Sequence, residues 1–181
     1  MTVPSPSLKY AVVERERRFL LREMPDGCCP ATTIEDRYVT DSRLRLRETV
    51  APDGKRTRKL GHKVRLDGTA REVACTSMYL DDAEWSLLIE LPATTLRKRR
   101  VVLPLESVGV TVAIDAFDGD AHGLVLAEVD LRERPDIDVR LPFSTIAEVT
   151  DDERFTGGRL AVTSRHDVRA AVGDHGLTLG D

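Results

Sequence analysis

The sequence predicts an α+β protein made mainly of antiparallel β-strands, and three features of the chain predict it. Apolar and charged residues alternate along several segments, which is the two-residue period of a strand. The connections between these segments are short and rich in Gly, Pro and Asp, so neighbouring segments can pair as hairpins. Only one segment has the signals of a firm helix. Strands and helices therefore do not alternate, which argues against a parallel βαβ sheet.

Seven or eight strands are predicted in chain order. Most of the segments are alternating or β-branched in composition, and Asp53-Gly54 is typical of a hairpin turn. The segments, the fifth of which includes its leading turn, are 13–21, 32–40, 42–50, 57–66, 67–80, 95–105, 109–119 and 123–133.

One helix is predicted between the fifth and sixth strand segments. It begins at Asp81 or Asp82, either of which can cap its N-terminus, and it ends before Pro92. Residues 141–164 indicate short helical turns and loops. Residues 165–181 have weak periodicity and indicate either a loose tail or a short helix.

Size and charge exclude several classes of protein. With 181 residues, the chain suits one domain with a full core. Charged residues make up 32% of it, yet the formal net charge is only −4, which argues against a nucleic-acid binder that works by excess positive charge. No apolar run approaches the roughly 20 residues that span a membrane. We therefore expect neither a nucleic-acid nor a membrane partner.

The N-terminus and the cysteines favour a cytoplasmic protein with reduced thiols. The first ten residues lack the apolar stretch of a secretory signal. Cys28 and Cys29 are adjacent and Cys75 is distant, so the sequence suggests neither a disulfide framework nor a zinc knuckle.

Charged residues of one sign recur two positions apart on the predicted strands, and therefore on one face of each strand. Lys59 and Lys63 also share a face, and Asp115 stands alone in its strand. The like-charged pairs are Glu14 with Glu16, Arg45 with Arg47, Lys98 with Arg100, and Glu128 with Asp130.

Two arrangements can account for these charged faces. Antiparallel sheets commonly have one solvated face, so the charged residues of any one strand could simply face water in a sandwich. However, the charges form blocks of one sign on each strand, and like charges would repel one another unless other strands intervened. A closed barrel with acidic and basic strands facing each other across its interior would remove that repulsion.

A charged barrel interior implies particular ligands. Burying ionised groups without partners costs several kcal/mol, so such an interior must hold water, metal ions and an anion. Carboxylates suit Mg²⁺ or Mn²⁺, whereas Arg and Lys suit phosphate oxygens. The combination points to phosphate-ester or phosphoanhydride chemistry.

The motifs on these strands resemble those of a known family. The E-x-E-x-R arrangement in VERERRF resembles the N-terminal E-x-E-x-K signature of the CYTH superfamily, also called triphosphate tunnel metalloenzymes. Further similarities are LRLR to the family's VRVR, LGHKV to its tunnel lysine, RKRR to its K-x-R strand, IDAFDGDAHGLVLAEVDL to VDxFxGxxxGLxxAExEL, and EVTDDERFTGGRLA to EVTxDxRYxNxxLA. The fifth of these six stretches is the most specific.

The resemblance implies a fold and a ligand. The implied fold is an eight-stranded closed antiparallel β-barrel, a triphosphate tunnel with a few surface helices, over residues 9–163. Residues 1–8 would be a flexible N-terminus and residues 164–181 a C-terminal tail. The implied partner is a triphosphate-containing small molecule, inorganic triphosphate or a nucleotide, bound with Mg²⁺ or Mn²⁺. A homodimer is left open.

The resemblance also implies roles for individual residues. Glu14, Glu16 and Lys63 are the candidate catalytic residues, and Glu72 lies only loosely near a family glutamate. The candidate phosphate-binding residues are Arg18, Arg45, Arg47, Lys63, Lys98 and Arg100. The candidate metal ligands are Glu14, Glu16, Asp115, Glu128 and Asp130.

The sequence departs from the family pattern at three positions that bear on activity. Arg18 replaces the signature lysine, and Ala113 and Ala116 stand where many relatives have Glu. The first hypothesis is a metal-dependent triphosphatase, most simply for inorganic triphosphate. Related activities, an adenylate cyclase or a thiamine or nucleoside triphosphatase, would suit the same tunnel. The second hypothesis is a non-catalytic module that binds polyphosphate or nucleotide.

Overall fold

Antiparallel strands make up most of the described chain. The computed structural model describes residues 9–27, 31–66, 72–106, 108–131 and 137–180, so residues 1–8, Cys28 and Cys29 lie outside it. The strands are β1 (Val12–Leu21), β2 (Thr32–Val39), β3 (Leu44–Val50), β4 (Arg56–Arg65), β5 (Glu72–Tyr79), β6 (Ala93–Leu105), β7 (Val110–Phe117), β8 (Val125–Asp130) and β9 (Ala147–Glu148). Eight of them match the predicted segments. The short β9 lies where turns and loops were expected.

The first eight strands close into a barrel. Their order is β5-β4-β3-β2-β6-β7-β8-β1, and β1 also pairs with β5, which completes the circle. β1 makes both contacts because its first residues (12–15) pair with β5 and its remainder (16–21) pairs with β8. β9 adds to β1 outside the barrel. The predicted eight-stranded closed antiparallel barrel is therefore confirmed.

The outer face of β1, β7 and β8 is apolar and forms one of two hydrophobic clusters. Phe19, Val112, Ile114 and Val129 are all buried there. They pack together with Val139 from the segment that follows β8. Because side chains alternate along a strand, this outer cluster leaves the intervening residues of the same strands to face the interior.

The interior face changes from apolar to charged along each of these strands. On β1, Leu20 is followed on the same face by Arg18 and then Glu16, and on β8 Leu126 is followed by Glu128. Leu20 and Leu126 are fully buried. The barrel therefore has an apolar end and a charged remainder.

The C-terminal part of the chain fills the apolar end. Phe155, Val168 and Val172 are buried in one cluster with Leu20 and Leu126. A 3-10 turn (Glu153–Phe155) and α3 (Arg165–Gly173) carry them, and α2 (Gly157–Leu160) adds Leu160 to the same cluster. Of the two alternatives for the C-terminal residues, a short helix is the one observed. The division of the chain into a domain and two flanking segments stays a prediction.

The predicted helix is present as α1 (Asp82–Leu88). Asp81 caps it, because its side chain accepts from the backbone N–H of Glu84 while Glu84 accepts in return from the backbone of Asp81. Trp85 is buried beneath it, with Arg58 stacked 5.2 Å from the ring centre. Within the described ranges, no helix is both long and apolar enough to cross a membrane.

Candidate functional site

A charged cavity of about 520 Å³ lies inside the barrel. Nine arginine and lysine side chains line it against four glutamates, so the wall carries an excess of positive charge. The cations are Arg18, Arg43, Arg45, Arg47, Lys63, Arg65, Lys98, Arg100 and Arg159. The glutamates are Glu14, Glu16, Glu128 and Glu153. Every predicted phosphate-binding residue and three of the five predicted metal ligands therefore reach this cavity.

β1 supplies the first acidic wall. Glu14 and Glu16 face inward, whereas Arg15 and Arg17 face outward and bind Glu72 and Glu148, at 2.7 and 2.6 Å. This division follows from strand alternation, which also predicted that Glu14 and Glu16 share one face. Glu72, which was only loosely matched to the family, therefore takes part in an ion pair with Arg15 instead of lining the cavity.

The two glutamates on β1 have different environments. Lys63 donates from Nζ to Glu14 Oε2 at 2.6 Å, and although burial opposes it, this charge lowers the pKa of Glu14. Glu16 forms an ion pair with Arg18 at 3.7 Å, which is too long for a hydrogen bond. Burial and the nearby charge of Glu128 raise the pKa of Glu16. Glu16 is therefore a carboxylate whose negative charge the protein opposes.

Arg18 joins the two acidic strands. Its Nε donates to Glu128 Oε1 at 3.1 Å, and the side chain is almost fully buried. Its Nη1 is buried and has no hydrogen-bond partner among the described residues. An N–H left without an acceptor costs about 1–3 kcal/mol, so this guanidinium favours an additional oxygen ligand.

Asp115 holds two cations of β6 in place. Arg100 donates from Nε to Asp115 Oδ1 at 2.6 Å, and Lys98 donates from Nζ to Oδ2 at 2.7 Å. Arg100 Nη2 also reaches Glu128 Oε2 at 2.7 Å. Asp115 is fully buried, and the register across β6 and β7 places it directly opposite Arg100. Both of its oxygens therefore bind cations of the protein; its metal-binding role stays a prediction.

Asp36 on β2 plays the same part for the cations of β3 and was not predicted from the sequence. Arg47 donates to both of its carboxylate oxygens, at 2.6 and 2.7 Å, and Arg45 lies 3.5 Å away. Although burial alone would raise it, these charges hold the pKa of Asp36 far below its usual range. The sequence did contain a signal for this buried acid, since Asp36 lies between Ile34 and Tyr38 on the same face of β2.

Tyr38 and Gly157 form a further part of the wall that the sequence did not indicate. Burial and the charge of Asp36 raise the pKa of Tyr38 to about 12, so its hydroxyl stays protonated at neutral pH. A side chain at Gly157 would run into that hydroxyl, so the close approach of α2 to β2 requires glycine. The contact is between residues 119 positions apart in the chain, and no local pattern reveals it.

Another part of the cavity wall brings together β4 and the C-terminal segment. Arg65 pairs with Glu153, and Thr156 and Arg159 line the cavity beside them. Arg43 lies on the loop before β3 and lines the cavity as well. None of these residues was singled out in the sequence, because they lie at the ends of elements and outside the paired charges.

The remaining predicted positions divide between the two faces. Asp130 is the last residue of β8, opposite Glu16 in the register of the two strands. Ala113 lies opposite Glu128 on the cavity face of β7. Ala116 belongs to the outer apolar cluster, so the family glutamate that it was predicted to replace would not face the cavity here, because one position along a strand reverses the face. Lys59 shares the inner face with Lys63 but stacks on Tyr79.

The donor set fits a divalent cation that keeps part of its water. Among the described residues no three His, Cys, Asp or Glu side chains are gathered as a ready-made metal cage. Mg²⁺ does not need one, since it is usually held by one or two carboxylates together with phosphate oxygens and water. Glu14 and Glu16 offer hard oxygen donors on one strand face, and a cation would relieve the repulsion that raises the pKa of Glu16.

Two crystal structures of one protein, the inorganic triphosphatase NE1496, share this fold. The first matches with a TM-score of 0.54 and 22% identity, over 83% of this chain and 95% of that one. The second, described as the hypothetical protein NE1496, matches with a TM-score of 0.54 and 23% identity over 83% and 99%. A putative adenylate cyclase from Bacillus halodurans is more distant, with a TM-score of 0.47 and 14% identity over 69% and 83%.

These similarities establish the class of fold. No protein-family model matches the sequence, and no curated protein matches it significantly. The barrel with its charged interior has the triphosphate tunnel fold, and the resemblance to the CYTH superfamily is confirmed as a resemblance of fold.

Proposed function

We propose that this chain is a CYTH-type enzyme that hydrolyses a triphosphate with the help of a divalent metal ion, and that its simplest substrate is inorganic triphosphate. The observation that carries the proposal is the excess of arginine and lysine over glutamate on the cavity wall. Such an excess, held in place by buried carboxylates, suits a short chain of phosphates better than a neutral or singly charged ligand.

The basic residues would bind the phosphates from several sides. Arg45 and Arg47 on β3 lie on one wall, and Lys98 and Arg100 on β6 lie on another. Asp36 binds Arg47, and Asp115 binds Lys98 and Arg100. These ion pairs would keep the cations from folding onto the glutamates of β1. The cations are thus in place before the substrate arrives, which lowers the reorganisation needed in the reaction.

The acidic residues of β1 would place the metal and its water. Glu14 and Glu16 would hold Mg²⁺ or Mn²⁺, which, when bound, would make the attacking water more acidic and neutralise charge on the phosphate. Lys63 donates to Glu14 and lines the same cavity, so it can also offset the negative charge that develops on a bridging oxygen. Asp130 and Glu128 are the further candidate ligands.

The test is phosphate release from three substrates. The purified chain is incubated with inorganic triphosphate, ATP and thiamine triphosphate, each with Mg²⁺ or Mn²⁺ and each with a chelator. We expect metal-dependent release of phosphate, fastest from inorganic triphosphate. The Glu16→Ala variant should lose the metal-dependent rate, whereas Glu35→Gln should keep it, because Glu35 pairs with Arg97 on the outer face.

A second candidate function, a module that binds polyphosphate without cleaving it, is favoured by one specific observation. Ala113 faces Glu128 across the strands and supplies no carboxylate there. Saturable binding of triphosphate without turnover of any of the three substrates would select this second function and reject the first.

A further inference from the structure

Both carboxylate oxygens of Glu128 already bind an arginine. Arg18 Nε donates to its Oε1 and Arg100 Nη2 to its Oε2, so each carboxylate oxygen has a guanidinium partner. Burial alone would raise its pKa, but Lys98, Arg18 and Arg100 outweigh that effect and hold the pKa of Glu128 well below its usual range. A metal ion at Glu128 would have to displace at least one of these buried ion pairs.

Arg18 occupies the position that a bridging cation would take. Its guanidinium lies 3.1 Å from Glu128 and 3.7 Å from Glu16, so it touches both acidic strands. Its Nη1 remains without a partner among the described residues. A divalent ion between these glutamates would have the same two effects, since it would neutralise both acids and keep a position for a phosphate oxygen.

On β7, one of the two strands that pair with β8, no described residue offers an unpaired carboxylate that could rebuild a second metal site around Glu128. Its partner across the β7 pair is Ala113, and the acid on β7 that faces the interior is Asp115, whose oxygens bind Lys98 and Arg100. On β1, Glu14 and Glu16 also line the cavity; Lys63 binds one oxygen of Glu14, and Arg18 lies 3.7 Å from Glu16, too far for a hydrogen bond.

We propose that the cavity holds one divalent cation, on the β1 side at Glu14 and Glu16, and that Arg18 replaces a second cation. Arg18 does so by bridging Glu16 and Glu128, while Arg100 binds the other oxygen of Glu128. This inference rests on the proposed function and refines it, because it states how many metal ions the tunnel uses. It also gives the arginine in the E-x-E-x-R motif a role, that of a fixed positive charge between two acidic strands.

The proposal is tested by counting bound Mn²⁺ with electron paramagnetic resonance. The chain is titrated with Mn²⁺ alone, and then with Mn²⁺ and an imido analogue of triphosphate that has no P–O–P bonds to cleave. We expect one bound ion per chain and the spectrum of an isolated ion. Two ions per chain, or the spectrum of two coupled ions at the about 4 Å of a two-metal site, would overturn the proposal.

Variants at Arg18 test the replacement directly. Arg18→Gln removes the bridging charge and should raise the count from one ion to two, whereas Arg18→Lys keeps the charge and should leave it at one. Arg17→Gln is the matched control, because Arg17 is the adjacent arginine and binds Glu148 on the outer face; its count should stay at one. A count of one in a folded Arg18→Gln variant would contradict the role given to Arg18.

The measurement also separates this inference from the proposed function. A chain that binds one Mn²⁺ but releases no phosphate would retain the inference and lose the enzymatic proposal. A chain that hydrolyses triphosphate with two bound ions would support the enzymatic proposal and reject the inference of a single cation. If no Mn²⁺ is bound in either condition, the single cation site itself is rejected.

Discussion

Glu16 is the residue at which stability and function are expected to oppose each other. Its pKa is raised by burial and by the charge of Glu128, so the folded protein favours the protonated acid. The contribution of Glu16 to stability is therefore complete below about pH 4, the range of an unfolded glutamate, and is lost as pH rises through the higher folded pKa.

The Glu16→Gln variant tests how much stability the folded protein loses when Glu16 is ionised. In the presence of a chelator, the variant should melt at a higher temperature than the parent chain at pH 7, and the difference should vanish below about pH 4. Adding Mn²⁺ should raise the melting temperature of the parent chain and leave that of the variant unchanged. A variant that is less stable at pH 7 would contradict the environment assigned to Glu16.

Asp36 should behave in the opposite way. Because Arg47 and Arg45 lower its pKa, Asp36 contributes stability above about pH 4, and this contribution is lost as pH falls toward the folded pKa. Asp36→Asn should cost about 3–5 kcal/mol in urea unfolding at pH 7, since it leaves buried arginines uncompensated. The loss should shrink at low pH.

A control for Asp36 is available on the surface. Asp118 lies 4.0 Å from Arg99, and both side chains are well exposed. Asp118→Asn should change the free energy of unfolding by no more than about 1 kcal/mol. Equal losses in both variants would show that burial of the Asp36 cluster does not matter.

At the scale of elements, the packing of α2 against β2 depends on one glycine. A methyl group at Gly157 would collide with the hydroxyl of Tyr38, which is buried beside Arg45. Gly157→Ala should cost about 1–3 kcal/mol and weaken the binding of triphosphate, because Tyr38 must move into the cavity wall.

Two further variants isolate that contact. Gly158→Ala is the matched control, since the nearest atom to a methyl group there is a ring carbon of Tyr38 at an ordinary 3.5 Å. Tyr38→Phe removes the hydroxyl, so adding it to Gly157→Ala should recover part of the lost stability. If the double variant is as unstable as the sum of the two single variants, the collision is not the cause.

The C-terminal elements are expected to act as an integral part of the barrel core. Phe155 is 1% exposed and lies in the cluster that fills the apolar end of the interior. Phe155→Ala should therefore cost about 3–5 kcal/mol in urea unfolding, as for other large core truncations. Val162, which is 58% exposed, is the control, and Val162→Ala should stay within about 0.5 kcal/mol of the parent chain.

For the whole molecule, the contrast between net charge and cavity charge has a measurable result. The chain carries a formal net charge of −4, yet the cavity wall is dominated by cations. Binding of triphosphate without metal should raise the melting temperature and weaken with added salt. Because one end of the barrel is filled, the gain should grow from phosphate to triphosphate and level off for longer chains.

The melting series has a clear opposing outcome. A melting temperature that keeps rising with polyphosphate length would mean that the polyphosphate passes through the apolar end of the barrel. That would contradict the packing of Phe155, Val168 and Val172. Independence from salt would mean that the wall cations do not make the principal contacts.

Sequence patterns were most informative where neighbouring residues decide the structure. The alternation around Arg45 and Arg47, and around Glu14 and Glu16, correctly placed each pair on one strand face, since that follows from backbone geometry alone. The cap at Asp81 is equally local. The same alternation places Ala116 on the outer face, which the match to the family motif did not indicate.

The amino-acid sequence by itself determined the antiparallel strands, the faces of their side chains and the blocks of like charge, because all three depend on residues close together in the chain. Only the tertiary structure decided which acid meets which base. Arg18 and Glu128 are 110 positions apart, and their contact depends on barrel closure and on the register between β1 and β8. The same long-range packing fills one end of the interior and turns a charged barrel into a cavity that is closed at that end.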